Sequence, residues 1–240
     1  MTDLYFSRAR LVATHAGLGP VLFPDEPSRR IAVAHRLVWT MFSPETGQRP
    51  FLFREEADSL AAGREARGAF YVLSHEPPGD GGGLFTLETK PFRPQLSVGE
   101  RVRFSLRANP TVQRTVVIDG RRKTQRYDVA MHALHKLGAG ERSAARLDVV
   151  REAGLAWLER HGPTSGFRLP DRDGVNVEGY DQFLVDPEKR RKGARAVHTR
   201  LEFEGELEVT DPSAFLQRVA SGFGRARAFG NGLMLIRRAS

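Results

Sequence analysis

From Arg101 to Pro110 the chain reads Arg-Val-Arg-Phe-Ser-Leu-Arg-Ala-Asn-Pro. Val102, Phe104 and Leu106 alternate with Arg101, Arg103, Ser105 and Arg107. Side chains on a strand point alternately to opposite faces, so a period of two specifies a strand with one apolar and one charged face. An apolar sheet face has to be covered, and the helical patterns elsewhere in the chain supply the cover. Asn109-Pro110 stops the strand, because proline offers no N–H to the ladder. Read on its own, the charged face carries arginine without acid and suits a polyanion groove at least as well as plain solvation.

The N-terminal half sets this strand in context. Leu4–Ala13 reads as a first strand, and Thr14–Pro27 as a loop broken by Gly17, Gly19, Pro20 and Pro24. Ser28 is a good N-cap, and Ile31, Ala34, Leu37, Val38 and Met41 recur at three- and four-residue spacing, which predicts a helix over 29–42. Short strands are predicted at 51–54, 69–74 and 84–89, with a Pro/Gly loop over 75–83 where a second helix would stand. Pro91-Phe92-Arg93-Pro94 reads as a boundary between units 1–92 and 93–240.

Beyond Asn109-Pro110 a hairpin turns at Asp119-Gly120, and its strands carry Arg114, Arg121, Arg122, Lys123 and Arg126. Helical patterns follow over 127–137 and 143–160, then strands at 167–169, 180–185 and 196–209. The last of these presents Glu202, Glu204, Glu206 and Glu208 on one face, an acidic edge that repels phosphate. Between the last two lies a basic tip with Lys189, Arg190, Arg191 and Lys192, either a finger for a groove of folded nucleic acid or a solvated loop. Asp211-Pro212 caps a helix through Ala220. Each half thus reads as strand, helix, strands and a closing strand. The expectation is an α+β protein of two tandem ferredoxin-like (βαββαβ) domains, the first with a degenerate second helix.

Two features point to chemistry. Gly222, Gly224, Gly230 and Gly232 surround Arg225 and Arg227 just before the apolar run Leu233–Ile236. Glycines that expose backbone N–H groups, beside unpaired guanidinium forks, suit a phosphate; the same stretch also suits a plain turn into the last strand. It is neither GxGxxG nor a P-loop. On the first helix His35 sits at the edge of the apolar face, either a boundary histidine or a general acid or base, with Arg36 beside it as a phosphate ligand. His132 and His135 have no third ligand at a metal spacing, so no metal or other cofactor is expected. The balance of 37 Lys+Arg against 29 Asp+Glu, formally +8, favours a polyanionic partner, nucleic acid first. There is no cysteine and no apolar run long enough to span a bilayer, which fits a cytoplasmic protein with no membrane partner.

Three stretches together, Arg101–Pro110, Gly205–Pro212 (GELEVTDP) and Gly222–Leu235 (GFGRARAFGNGLML), resemble the CasE (Cse-type) endoribonucleases that process CRISPR RNA in subtype I-E systems. Their order and spacing match that family, as does a short N-terminal helix carrying His35; the loop 75–83 and the segment 111–142 fit least well. The resemblance implies two ferredoxin-like domains and binding to the stem-loop of the CRISPR repeat transcript. It implies metal-independent cleavage at the 3′ base of the stem. The upstream 2′-hydroxyl attacks phosphorus and leaves a 2′,3′-cyclic phosphate and a 5′-hydroxyl. The family's catalytic histidine falls on His35, and its frequent tyrosine three positions earlier is Ala32 here. RNA contacts are expected from Arg36, Arg103, Arg107, Arg114, Lys189, Arg190, Arg191, Lys192 and the glycine-rich loop. The chain is expected to be a monomer when free and a subunit of a Cascade complex. The alternative is a non-catalytic RNA-binding subunit of the same fold.

Overall fold

The structure is a computed structural model that describes residues 3–12, 27–43, 49–56, 68–118, 120–138, 141–184 and 197–239. The basic tip with Lys189, Arg190, Arg191 and Lys192 lies outside the described residues. The first sheet uses β1 (Tyr5–Leu11), β2 (Phe51–Glu55), β3 (Ala69–Ser74) and β4 (Phe85–Pro91), ordered β2-β3-β1-β4 with antiparallel neighbours. β3 and β4 flank β1 and so run parallel to each other. Their connection, 75–84, crosses without a helix and passes through three positive-φ glycines, Gly81 to Gly83. Helix α1 (Pro27–Trp39) lies on one sheet face, where Ala34, Leu37 and Val38 bury against Phe51, Phe53, Phe70 and Val72. On the other face Phe6 stacks on Tyr71 at 5.8 Å, and Leu52 and Leu73 join the core of the C-terminal half.

That second core is built on β5 (Arg101–Ala108), β8 (Phe167–Arg168), β10 (Val197–Val209) and β11 (Met234–Arg238), ordered β11-β5-β10-β8. Counting only these four strands, the order repeats that of the first sheet: fourth, first, third, second. β9 (Asn176–Leu184) also pairs with β10, and β6 (Thr111–Ile118) with β7 (Arg121–Asp128) forms a separate two-stranded ribbon. The helices α2 (Val129–Leu134), α3 (Arg146–His161) and α4 (Pro212–Ser221) complete the half. Leu155, Trp157 and Leu158 of α3 and Phe215 and Val219 of α4 are buried with Phe104, Leu106, Leu201 and Phe203 of the sheet. Asp211 caps α4 by accepting from the Ala214 N–H at 3.0 Å, with Pro212 in the first turn. The architecture is α+β with two tandem ferredoxin-like folds.

The expectation of an unmixed arginine face on β5 is corrected by its neighbour. In the register of β5 with β10, Arg107 faces Glu202, Ser105 faces Glu204 and Arg103 faces Glu206. Arg103 bonds Glu206 at 3.1 Å and Arg107 bonds Glu202 at 2.5 Å. Arg54 of β2 reaches Ser105 Oγ at 2.9 Å and Glu202 at 3.3 Å, so one end of this face is sealed by the first sheet. Arg103 and Arg107 are therefore cross-strand partners of the acidic edge, and neither offers an unpaired cation to a polyanion. No helix among the described residues is long and apolar enough to cross a membrane.

Candidate active site

The two halves meet where α1 and β2 face the glycine-rich loop. The loop leaves α4 at Gly222 and returns at Gly232, closed by Phe223 N–H donating to the Gly232 carbonyl at 2.9 Å. All four of its glycines have positive φ, as does Ala226 at 54°. A 3-10 turn, Arg227–Phe229, then presents the Phe229 ring to the junction. Gly230 lies flat against Phe53, 3.5 Å from its ring to the position a Cβ would occupy.

His35 reaches this turn from α1. Its imidazole lies 6.3 Å from the rings of Phe53, Trp39 and Phe229, nearly parallel to the first and edge-on to the second. One helical turn on, Trp39 Nε1–H donates to His35 Nε2 at 3.0 Å. An indole only donates, so Nε2 is the lone-pair nitrogen of a neutral ring and Nδ1 carries the proton. Burial first, then the charges of Arg49 and Arg36, hold the His35 pKa below its ordinary value. The one lone pair of this neutral ring is held by Trp39, so the imidazole takes up a proton only as that bond opens.

Arginines ring the histidine without acids. Arg36 is exposed beside it. Arg49, half-buried at the edge of β2, lies 6.0 Å from the Phe51 ring centroid, and its Nε has no hydrogen-bond partner. Arg227 is its like-charged neighbour. Arg225 is exposed on the loop, its N–H bonded to the Asn109 carbonyl. Among the described residues no carboxylate pairs with Arg36, Arg49, Arg225 or Arg227. Like charges held together without counter-ions attract an anion. On the C-terminal side His198 of β10 packs on the same Phe229 ring at 5.7 Å and stacks on Phe183 of β9.

The structure thus gathers His35, Arg36, Arg225 and Arg227 at one junction. It leaves Arg103 and Arg107 in the β5–β10 ladder and Arg114 on the ribbon. The cradle of bare glycine N–H groups is corrected at two positions. Gly222 N–H bonds the Arg218 carbonyl and Gly232 N–H bonds the Arg107 carbonyl at 2.7 Å, and both residues are buried. The close approach these glycines allow is to Leu52 and to the Phe223 carbonyl, inside the protein. Arg227 folds back over the loop and donates to the Ser221 carbonyl, so it also clasps the turn. Sequence reading missed Arg49, Phe183, His198 and Phe229. The only local signal was an aromatic residue within the glycine-rich stretch; the other three stand in unrelated segments.

A pH effect follows from burial. His35, His161 and His198 all have pKa values lowered from 6.5, each mainly by burial. The unfolded chain then binds more protons than the folded one below that value. Stability is complete above pH 6.5 and declines as the pH falls through the lowered folded values. The melting temperature is expected to drop between pH 7 and pH 5.5, and less steeply in a His161→Gln, His198→Gln double variant; a flat profile contradicts the assignment.

Comparison with known proteins gives the chain's relatives. A family model described as CRISPR associated protein matches residues 4–238. The CRISPR-associated endoribonuclease Cse3 of Thermus thermophilus is 31% identical over 153 residues, which is 61% of this chain and 60% of that protein, less than two thirds of its length. The CRISPR system Cascade subunit CasE of Escherichia coli K12 is 26% identical over 219 residues, 90% of this chain and 96% of that one. The solved structure of Thermus thermophilus Cse3 bound to an RNA representing a pre-cleavage complex superposes with a TM-score of 0.64 at 25% identity, covering 98% of this chain and 99% of that one. The chain belongs to the CRISPR associated protein family, and the members it is similar to include Cse3 and CasE.

Proposed function

We propose that this chain cuts the CRISPR repeat transcript at the 3′ base of its stem-loop, leaving a 2′,3′-cyclic phosphate and a 5′-hydroxyl, with His35 moving a proton at the scissile phosphate. The observation that carries this reading is the junction itself: one neutral imidazole at the centre of unpaired guanidiniums. The attack is intramolecular, so the protein has mainly to align the 2′-hydroxyl, transfer protons and stabilise charge on phosphorus. Arg36, Arg49 and Arg225 would take the last task. The side chains gathered here are cations and aromatics, and the described residues hold no cluster of His, Asp and Glu suited to a divalent ion. Residues 1–92 would carry the catalytic histidine and 93–240 would hold the stem, with help from the 189–192 tip and Arg114. Likeness to the Cascade subunit CasE supports assembly into a Cascade complex; a cytoplasmic location and a monomeric free state belong to the same proposal.

End-group analysis of labelled repeat RNA incubated in EDTA tests the reading. Cyclic phosphate and 5′-hydroxyl ends are expected; RNA bound but uncut would leave a binding subunit. The two classes of arginine should also separate. Arg49→Ala with Arg225→Ala is expected to weaken RNA binding several-fold and to flatten the slope of log K against log salt by about 0.7–0.9 for each phosphate no longer held. Arg103→Ala, whose charge already meets Glu206, should leave both unchanged. Equal effects from the two variants would place the RNA elsewhere.

A further inference from the structure

We propose that His198 is a second catalytic residue, the donor of the proton that the leaving 5′-oxygen takes up, working from the opposite half of the molecule to His35. This rests on the endoribonuclease reading above. Of the chain's seven histidines, His35 and His198 are, among the described residues, the two whose rings meet Phe229. They come from α1 and from β10, so the site is completed only when the two halves pack. Both pack on that ring, with centroids at 6.3 Å and 5.7 Å. An in-line displacement at phosphorus has use for two proton-transfer groups, because the attacking 2′-oxygen and the departing 5′-oxygen lie on opposite sides of the phosphorus.

The hydrogen bonds divide the two roles. His35 Nε2 accepts from Trp39, which favours the neutral ring, and this nitrogen becomes a base when the indole N–H gives way to the 2′-hydroxyl. Neither nitrogen of His198 has a hydrogen-bond partner among the described residues, so either is open to a substrate oxygen. Phe183 fixes its plane by stacking at 5.7 Å and 29°. The charged groups around it are Arg225 from the loop and Arg200 on its own strand, the latter 5.2 Å from the Phe183 ring. Without RNA, burial and Arg225 keep His198 neutral. A bound phosphate offsets Arg225 and favours the imidazolium, so the substrate itself charges the acid.

The step balances. The 2′-oxygen forms a bond to phosphorus and gives its proton to His35 Nε2, from which the Trp39 N–H withdraws. The bond from phosphorus to the 5′-oxygen breaks, and that oxygen takes the proton of His198. His35 ends protonated and His198 neutral, and exchange with solvent restores both.

The test uses two RNAs, the repeat stem-loop of the protein's own CRISPR array and the same RNA with sulfur in place of the leaving 5′-oxygen. A thiolate departs without a proton. His198→Ala and His198→Gln should lose about 10²–10⁴ in single-turnover rate on the oxygen substrate and cut the sulfur substrate near the wild-type rate. His35→Ala should stay slow on both. The wild-type rate should fall at alkaline pH as the acid deprotonates, and that fall should vanish in the His198 variants. Each variant is compared with itself across two RNAs, so a reduced folded fraction does not change the outcome. Wild-type cutting by the variants, an equal loss on both RNAs, or a retained alkaline fall would overturn the proposal. A wild-type protein that leaves both RNAs intact would instead bring down the endoribonuclease reading, and this proposal with it.

Discussion

His35→Ala is expected to keep the fold and the RNA while losing about 10²–10⁴ in cleavage rate, the usual cost of removing a general acid or base. That loss corresponds to roughly 3–5 kcal/mol of transition-state stabilisation. The selectivity comes from where His35 stands. Its ring is only half-buried at the junction, and the cores on either side are formed by Val38, Phe53 and Leu52 with their neighbours. Truncation removes the packing against Phe53, Phe229 and Trp39 but opens no sealed cavity. RNA affinity should hold because a neutral imidazole contributes little to a salt-dependent grip, which belongs to the arginines. Single-turnover cleavage, filter binding and a melting curve on one preparation check all three parts. A wild-type rate would remove His35 from the chemistry, and a large fall in affinity would recast it as a binding residue. Trp39→Phe gives a graded companion. It keeps the aromatic edge and deletes the donor to Nε2, so the His35 pKa should rise and the acid limb of the pH–rate profile should move to higher pH.

What the sequence disclosed depended on how local the physical cause was. Alternation along 101–107 and the three- and four-residue spacing of Ile31 to Met41 are set by backbone geometry within one element, and both became the expected strand and helix. The degenerate second helix was readable because Pro77, Pro78, Gly79 and Gly81 to Gly83 leave no helical segment between β3 and β4. Side-chain partnership was not readable. Glu202 stands 95 positions from Arg107, and only the β5–β10 register turns two stripes of opposite sign into one neutral ladder. The junction was half readable for the same reason. His35 and the loop arginines stood out by composition, while Arg49 and His198 acquire meaning only when β2 and β10 bring them beside Arg227 and Phe229. The loop glycines were correctly placed at positive φ, but the reason for them is the approach of Leu52 and Phe223, which no single stretch announces.

That reason can be measured. Gly232 has φ of 92°, and a Cβ there would stand 2.6 Å from the Phe223 carbonyl oxygen and 2.9 Å from Arg227 Cγ. The Arg227 chain can swing away, but the Phe223 carbonyl is backbone, and the N–H of the same residue closes the loop on Gly232. Gly99 is the control, with φ of 84° and nothing within 4 Å of its added Cβ. Gly99→Ala meets only the backbone cost of a left-handed alanine, about 1 kcal/mol. Gly232→Ala meets that cost and the clash together, roughly 3 kcal/mol, which lowers the melting temperature of a chain this size by about 6–12 °C. The two variants should also part in function. Gly99→Ala sits on an exposed turn and should cut RNA normally. Gly232→Ala shifts the turn that carries Phe229 and Arg225, the ring that both His35 and His198 contact and the unpaired cation near them, so its cleavage rate per folded molecule should fall as well. Equal melting temperatures for the two variants would mean that the loop yields without cost. A destabilised Gly232→Ala that still cuts at full rate would mean that the position of Phe229 does not matter to the reaction.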